Sequence, residues 1–381
     1  MDFAFTPEQE QLREATAEFA RSQLNDDLAE RERKSYFSRE DWVKCADFGI
    51  LGLHLPEEYG GQGRDIVTTI AVLEALGYGC RDNGLPFGLN SQMWSTQAAI
   101  YEFGTEQQKQ DYLRPMCRGE MIGAFAITEA DSGSDTYNMK ATARRDGDNY
   151  VLKGEKAYIT NAPIADMAVI FASTNPSAGQ WGISAFIVEA GADGIELGGR
   201  RGKMGLKTSP FGEIYLDDCV VHETARLGPE GAGFSIFSRS MEAERGYILS
   251  SQVGAMQRQL EDGIAFARER QAFGGPIGRF ESVANRLVDM KLRLETCRLL
   301  LYKLAWLDQR GQRLAMEAAL TNLHLSESFV ASGLDAIRLH GAQGYVQEVG
   351  IERDLRDGIG GLIYSGTSDI QRKVIARLLG L

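Results

Sequence analysis

The stretch RLVDMKLRLETCRLLLYKLAW, residues 286–306, predicts one long helix of a helical bundle. Its apolar residues recur in alternating steps of three and four: Leu287, Met290, Leu294, Cys297, Leu301 and Leu304. Residues at this spacing share one face of a helix, so they form an apolar seam that other helices must cover. Core packing accounts for this seam without any ligand.

Strand patterns separate this helical segment from an earlier one. Near the start, Thr6, Pro7 and Gln9 have the order of an N-cap, a first-turn proline and a capping-box partner. Later runs such as YVLKGEKAYIT and WGISAFIVEA are rich in β-branched and aromatic residues, which predicts short strands of a barrel or sandwich. The sequence therefore predicts an α+β fold. We place its domains at residues 1–120 (helical), 121–228 (β) and 229–381 (helical).

The composition limits the partners that this chain can have. Its 381 residues carry a formal net charge of −12, so its surface should repel nucleic acid and anionic membranes. The five cysteines are scattered without a CxxC pair, and the four histidines lack metal-ligand spacing; we expect reduced thiols and no metal. The first residues lack the positive charge of a signal peptide, and no apolar run has the length of a membrane span. We therefore expect a cytoplasmic protein.

Several polar loops contain small residues that can bind a ligand. Backbone amides and hydroxyls in a loop such as TEADSGSD can hydrogen-bond a planar polar ring or a phosphate, although turn formation explains each loop equally well when it is taken alone. The order of five motifs is more specific. TEADSGSD, KAYITNA, RQAFGGPIGRF, HGAQGY and IYSGTSDIQR follow one another along the chain. In this order the chain resembles the acyl-CoA dehydrogenase superfamily of flavoenzymes over essentially its whole length.

The resemblance implies an N-terminal helical domain, a middle β-barrel, a C-terminal four-helix bundle and a homotetramer with FAD bound between subunits. Motif matching implies FAD contacts at Phe125, Ile127, Thr128, Gly133, Ser134, Tyr158 and Thr160. It places Thr367 and Asp369 at the adenine end or the pyrophosphate of FAD. It implies these contacts from a neighbouring subunit: Arg270, Phe273, Arg338 and Gly341. The chain has Glu281 and Arg338 where the family usually has glutamine, which leaves those two cofactor contacts open.

The catalytic base of the family has an unusual position in this chain. Family members often have a glutamate where this chain has Ser365, and a serine cannot act as a base without a neighbouring one. In isovaleryl- and long-chain-type members the base is a glutamate on an earlier helix, in a Glu-Arg pair 25 residues before the arginine of the RxxFG turn. Glu244 and Arg245 match this pair, because Arg245 precedes Arg270 by 25 residues. We predict Glu244 as the base, with Arg245, Ser365 and Gly366 near the substrate; a surface acid paired with an arginine is the alternative.

The substrate prediction comes from longer stretches, including GYGCRDNGL and SGLDAIRLHG. These resemble the branch of the family that oxidises L-prolyl groups tethered to peptidyl carrier proteins. The resemblance implies FAD-dependent dehydrogenation of a carrier-bound aminoacyl thioester, with an electron-transfer flavoprotein or O2 as acceptor. The alternatives are an acyl-CoA dehydrogenase for short or branched acyl groups and a flavin-binding homologue without activity.

A carrier protein is acidic, so it requires a local basic surface on this acidic chain. The segment GGRRGKMGLK supplies Arg200 and Arg201, which we predict to bind the phosphopantetheine phosphate or the carrier. A solvated loop explains these charges equally well.

Overall fold

Helices precede and follow a central sheet in the computed structural model, which describes residues 4–381. The first helices are α1 (Pro7–Gln23), α2 (Leu28–Lys34), α3 (Arg39–Asp47), α4 (Ile66–Gly79), α5 (Gly84–Ser91), α6 (Ala98–Phe103), α7 (Glu106–Gln108) and α8 (Arg114–Cys117). The predicted capping box of α1 is confirmed. Thr6 Oγ1 accepts from the Gln9 N–H at 3.2 Å, and the Gln9 side chain accepts from the Thr6 N–H at 3.0 Å.

A π-helical turn, Gln92–Gln97, joins α5 to α6 into one continuous helix. A second π-helical turn, Lys109–Leu113, joins α7 to α8 in the same way. A π turn holds one more residue than an α turn, and it redirects the side chains that follow it. Such turns often lie at functional sites, and the first one contains a serine that contacts the candidate base.

The middle part is an eight-stranded sheet within residues 4–381. Its strands are β1 (Gly123–Ala126), β2 (Thr142–Asp146), β3 (Asn149–Thr160), β4 (Met167–Ser173), β5 (Ile183–Glu189), β6 (Ile195–Leu197), β7 (Phe211–His222) and β8 (Arg226–Leu227). The hydrogen-bonded order is β6-β7-β3-β2-β4-β5-β8, with β1 parallel to β4. The longest pairing runs between β3 and β7, from Asn149 opposite His222 to Thr160 opposite Phe211.

Strand β4 is apolar on both faces because each face of the sheet has its own core. Ala168 and Ile170 join an inner cluster formed by strands β1–β5 and β7, so the sheet curls around this core as a barrel does. Met167, Val169 and Phe171 point the other way, into a cluster shared with the helices. The sheet is thereby fixed against both its own interior and the helical parts.

The last part consists of helices and one short hairpin. They are α9 (Gly233–Tyr247), α10 (Ser250–Glu269), β9 (Gln271–Ala272), β10 (Gly275–Pro276), α11 (Glu281–Asp308), α12 (Ala315–His340), α13 (Ile351–Gly361) and α14 (Ser368–Leu378). Helix α12 packs against α9, α10 and α11. The predicted seam of α11 is confirmed: Leu287 packs against the helical core, and the other seam residues are buried in it, namely Met290, Leu294, Cys297, Leu301 and Leu304. This order of helices, strands and helices confirms the predicted α+β fold.

The thiols and the helix lengths were both open to prediction from the sequence. All five cysteines are free and buried. Among residues 4–381, no helix combines the length and the hydropathy that crossing a membrane requires.

The two helical parts share one core because α4 and α10 approach closely. A Cβ atom on Gly254 would lie 1.9 Å from the Glu74 carbonyl oxygen, and one on Gly77 would lie 1.8 Å from the Ser251 carbonyl oxygen. Beside this crossing, the buried Glu74 carboxylate accepts a hydrogen bond of 2.6 Å from Arg298 of α11. The glycines therefore set the distance between the first and last parts of the chain.

Replacing Gly254 by alanine should lower the free energy of unfolding by about 2 kcal/mol, because overpacking forces the helices apart. In a helix without this contact, alanine would be favoured over glycine by about 1 kcal/mol, so the sign of the change is informative. Urea unfolding measures the difference. Gly191→Ala is the control, since nothing lies within 4 Å of its added Cβ. An unchanged or higher stability of Gly254→Ala would contradict the packing argument.

Candidate active site

A cavity of about 1050 Å³ lies where the three parts of the chain meet. Its lining comes from the π turn after α5, the loop after β1, the end of β3, helices α9, α13 and α14, and the loop between α13 and α14. Ligand sites enclose roughly 300–1,000 Å³, so this cavity has room for a large ligand or for a cofactor together with a substrate.

The Glu244 carboxylate projects from α9 into this cavity. Ser95 Oγ donates to its Oε2 at 2.7 Å, and Ser365 Oγ donates to its Oε1 at 2.5 Å. Burial raises the pKa of Glu244, while the two serine hydrogen bonds and the Arg245 charge lower it; the net shift is upward. An enclosed carboxylate with a raised pKa is suited to accept a proton.

Ser365 lies on the loop between α13 and α14, where it has a left-handed φ of 55°. The buried Gln371 side chain fixes this loop by donating to the carbonyls of Ser365 at 3.1 Å and Gly366 at 2.8 Å. The Ser365 hydroxyl is thereby directed at Glu244. The serine at the position where the resemblance implies a glutamate therefore donates a hydrogen bond to the predicted base on another helix.

Ser95 is a site residue that the sequence did not reveal. It lies in the π turn, 149 positions before Glu244. No local pattern distinguishes it from Ser91, which also lines the cavity but makes no hydrogen bond to Glu244 in residues 4–381. Tertiary packing determines which serine faces the carboxylate, so a spacing rule could not have found it.

The middle part supplies the surface that the implied FAD requires. Seven predicted contacts line the cavity: Phe125, Ile127, Thr128, Gly133, Ser134, Tyr158 and Thr160. The side-chain hydroxyls of Thr128, Ser134 and Thr160 make no hydrogen bond within the described residues, and the Tyr158 ring is exposed towards the cavity. Apolar rings beside unpaired hydroxyls suit a planar ring system with polar edges, so these residues fit a flavin.

A buried ion pair holds the TEADSGSD loop in place. The Glu129 carboxylate accepts from Lys156 Nζ at 2.8 Å and from the N–H groups of Lys140 at 2.6 Å and Ala141 at 2.9 Å. Burial alone would raise the pKa of Glu129, but Lys156 and these hydrogen bonds lower it overall. Because the Ala157 N–H also donates to the Thr128 carbonyl at 2.9 Å, the loop is attached to β3 at two points.

Some of the other predicted site residues line the cavity, and the rest lie on the exposed surface. Thr367, Gly366 and Arg245 line the cavity, and Thr367 Oγ1 caps α14 by accepting from the Ile370 N–H at 3.2 Å. These predicted cofactor residues are exposed and lie outside the lining: Arg270, Phe273, Glu281, Arg338, Gly341 and Asp369. The resemblance assigns four of them to the cofactor of a neighbouring subunit, so a single chain does not test them.

The predicted carrier segment faces the cavity only in part. Arg200 is exposed and lies outside the lining, and Arg201 forms an ion pair with Glu213. Lys203 does line the cavity and donates to the Ser209 carbonyl at 2.6 Å; burial lowers its pKa to about 8. The assignment of Arg200 and Arg201 to a carrier stays a prediction.

Three family models match this chain in succession. The acyl-CoA dehydrogenase N-terminal domain matches residues 6–120, the middle domain matches residues 124–219 and the C-terminal domain matches residues 231–380. The matches cover most of the sequence and all three structural parts.

Individual proteins show the same likeness. An L-prolyl-[peptidyl-carrier protein] dehydrogenase of Serratia sp. is 42% identical over 381 residues, which are 100% of this chain and 99% of the relative. The solved structure of the prolyl acyl carrier protein oxidase AnaB is 46% identical, with a TM-score of 0.98, over 99% of this chain and 100% of its own. The structure of PigA with FAD and proline is 41% identical, with a TM-score of 0.97, over 100% of both chains.

Replacing Glu244 by glutamine should raise the melting temperature at neutral pH. The raised pKa means that the folded state keeps a proton that the unfolded state releases, so wild-type stability falls as the pH rises from the ordinary glutamate pKa through the raised one. Glutamine cannot titrate. The melting temperature of Glu244→Gln should therefore equal that of the wild type in acid and exceed it increasingly as the pH rises. Thermal unfolding across pH tests this, with Glu242→Gln as the control, because Glu242 lies on the same helix and pairs with Arg239. A rise in melting temperature that is the same at every pH would contradict the raised pKa of Glu244.

Proposed function

Since this chain belongs to the acyl-CoA dehydrogenase family, we propose that it is an FAD-dependent dehydrogenase of an L-prolyl thioester held on a peptidyl carrier protein. The observation that carries the proposal is the enclosed Glu244 carboxylate, hydrogen-bonded by Ser95 and Ser365 inside the cavity. Full-length similarity to the Serratia prolyl dehydrogenase and to PigA with FAD and proline supports the prolyl substrate.

Glu244 acts as the base that removes the proton from Cα of the prolyl group. Its ionised carboxylate receives this proton, and the raised pKa makes it a stronger base than an exposed glutamate. Ser95 and Ser365 each bind one carboxylate oxygen, which keeps the group aimed into the cavity. They also stabilise the ionised form before the proton arrives.

The thioester carbonyl must be polarised while the proton leaves, because negative charge develops on its oxygen. Ser365 and Gly366 line the cavity, and their N–H groups have no backbone partner in the part of the chain that the structure describes. We assign this polarisation to the loop that they form.

The residues that would hold FAD lie on the middle part: Phe125, Ile127, Thr128, Gly133, Ser134, Tyr158 and Thr160. When bound, FAD supplies the two-electron acceptor for the hydride that leaves Cβ. Apolar side chains on α9, including Phe237 and Met241, exclude water from the same space. A drier site strengthens the electrostatic effects on the proton transfer.

We also propose that the protein is a homo-oligomer, as the resemblance implies. Phe273 of the RQAFGGPIGRF motif is 90% exposed, and Tyr345 of the HGAQGY motif is 82% exposed. Helix α11 exposes a further apolar row that includes Val288, Leu292 and Leu299. Exposed apolar surface of this kind marks protein interfaces, which supports contact between these motifs and a second chain.

The direct test is anaerobic flavin bleaching. The FAD-loaded enzyme is mixed with L-prolyl carrier protein and, separately, with a panel of short and branched acyl-CoAs. Bleaching by the prolyl carrier alone supports the proposal. Bleaching by an acyl-CoA alone assigns the enzyme to acyl-CoA oxidation instead, and a flavin that no thioester reduces favours a homologue without activity.

Replacing Glu244 by glutamine should lower kcat by about 10²- to 10⁴-fold while FAD stays bound, because positioned proton transfer contributes about that factor. Stopped-flow bleaching of the loaded variant measures the loss. Glu242→Gln should keep wild-type activity. Retained activity in Glu244→Gln would remove Glu244 as the base.

Replacing Ser365 by alanine should move the acidic limb of the kcat/KM profile to higher pH. The hydroxyl stabilises ionised Glu244, so its loss raises the pKa of Glu244 further and leaves less ionised base in acid. Ser95→Ala should act in the same direction. Ser91→Ala is the matched control. If neither Ser365→Ala nor Ser95→Ala moved the acidic limb of the kcat/KM profile, these hydrogen bonds would not stabilise the ionised base.

A further inference from the structure

Five cations line the cavity, and three of them have neither an ion pair nor a side-chain hydrogen bond within residues 4–381. Arg356 pairs with Glu32 and Glu352, and Lys203 donates to a carbonyl. The three cations without either kind of partner are Arg245, Lys373 and Arg377. We refer to these three residues as the cation cluster.

The other cation on this part of α14 is satisfied. Arg372 pairs with Glu327 at 3.2 Å and with Asp369 at 3.4 Å. On α14, the two cations without partners are therefore the two that line the cavity.

Arg245 is the least solvated member of the cation cluster. Arg245 is partly enclosed, and its Nε is buried without a hydrogen-bond partner in the described chain. Burial lowers the pKa of Arg245, and the nearby charge of Arg377 lowers it further, although Glu244 and Glu242 act in the opposite direction. Glu242 already pairs with Arg239 at 3.5 Å. Like charges that share a cavity repel one another unless an anion comes between them.

The cluster extends from the base towards solvent. Lys373 and Arg377 are four residues apart on α14, so they share one face of the helix. At 1.5 Å per residue they lie about 8 Å and about 14 Å along the axis from Ser368, the first residue of α14. Both are exposed, whereas Arg245 lies beside the loop that carries Ser365 and Gly366. An anion held by the outer two cations would lie at the mouth of the cavity.

Aromatic rings line the same part of the cavity. The rings of Tyr137 and Phe234 have centroids 5.0 Å apart, and Arg245 is within electrostatic reach of Tyr137. Trp181 lies outside the lining but packs edge-on against Phe234, with ring centroids 4.9 Å apart, and is 59% exposed. This lining suits a ligand with an uncharged stem and an anion at its outer end.

We propose that Lys373 and Arg377 bind the phosphodiester of the phosphopantetheine arm that carries the prolyl group, so that the arm enters the cavity between α9 and α14. This inference rests on the proposed function and adds its entry route. The stem passes Tyr137 and Phe234, and the thioester reaches Glu244. The segment with Arg200 and Arg201 is less suited to this role, because Arg201 is already paired with Glu213.

Two small substrates test this directly: L-prolyl-pantetheine and L-prolyl-4′-phosphopantetheine, which share the thioester and differ only in the phosphate. The wild type should have a kcat/KM about tenfold higher for the phosphorylated compound, equivalent to about one charge-assisted hydrogen bond. In the double variant Lys373→Gln, Arg377→Gln this ratio should fall to about one, with unchanged FAD content and unchanged kcat/KM for prolyl-pantetheine. Arg372→Gln is the matched control and should keep the wild-type ratio.

The other outcomes overturn the inference in distinguishable ways. A double variant that keeps the ratio shows that these cations do not bind the phosphate. Loss of FAD from the double variant assigns them to the cofactor, and a defect seen only with the whole carrier protein assigns them to its surface. If the double variant Arg200→Glu, Arg201→Glu instead lowers the ratio to about one, the arm enters past the segment with Arg200 and Arg201. If the wild type reacts with no prolyl thioester, the proposed function is wrong and this inference falls with it.

Discussion

The carboxylate of Glu244 is the group on which the rest of the site depends. Burying a carboxylate is costly unless hydrogen bonds replace its water, and here the two donors come from residues 149 and 121 positions away. They can meet only if the π turn, helix α9 and the loop before α14 are held in fixed relative positions. The close crossing of α4 and α10 at Gly77 and Gly254 provides that constraint, because it sets how near the two helical parts lie.

The sheet fixes the other wall of the cavity by a different means. Strand β4 has apolar side chains on both faces, so it is held between two cores and has little freedom to move. The buried pair of Lys156 and Glu129 attaches the TEADSGSD loop to β3 of the same sheet. The hydroxyls that fit a flavin therefore project from a rigid support, and the proposed base, Glu244, projects into the cavity from the helical side.

The sequence predicted those features that depend on spacing along the chain. The seam of α11 and the capping box of α1 follow from helical periodicity. The prediction of Glu244 as the base rests on the resemblance and on the fixed offset of Arg245 from Arg270. Ser95 and the partners of Glu129 could not be predicted, because they are defined by contacts between segments that are remote in sequence. The same holds for Lys373 and Arg377: the sequence shows two charges, but only the fold shows that Arg372 is paired while its neighbours are not.

The hydrogen bond between Ser365 and Glu244 also bears on how a catalytic base can change position during evolution. Glutamates at both positions would place two carboxylates in contact, and such a pair cannot ionise fully because the two groups share one proton. The two base positions therefore compete for a single negative charge. A lineage that acquired Glu244 first would still have had one ionised carboxylate in the shared pair, and a change of the other glutamate to serine would then release Glu244 from that competition. A lineage that lost the old glutamate first would have passed through a form with no base, so the contact favours gain before loss.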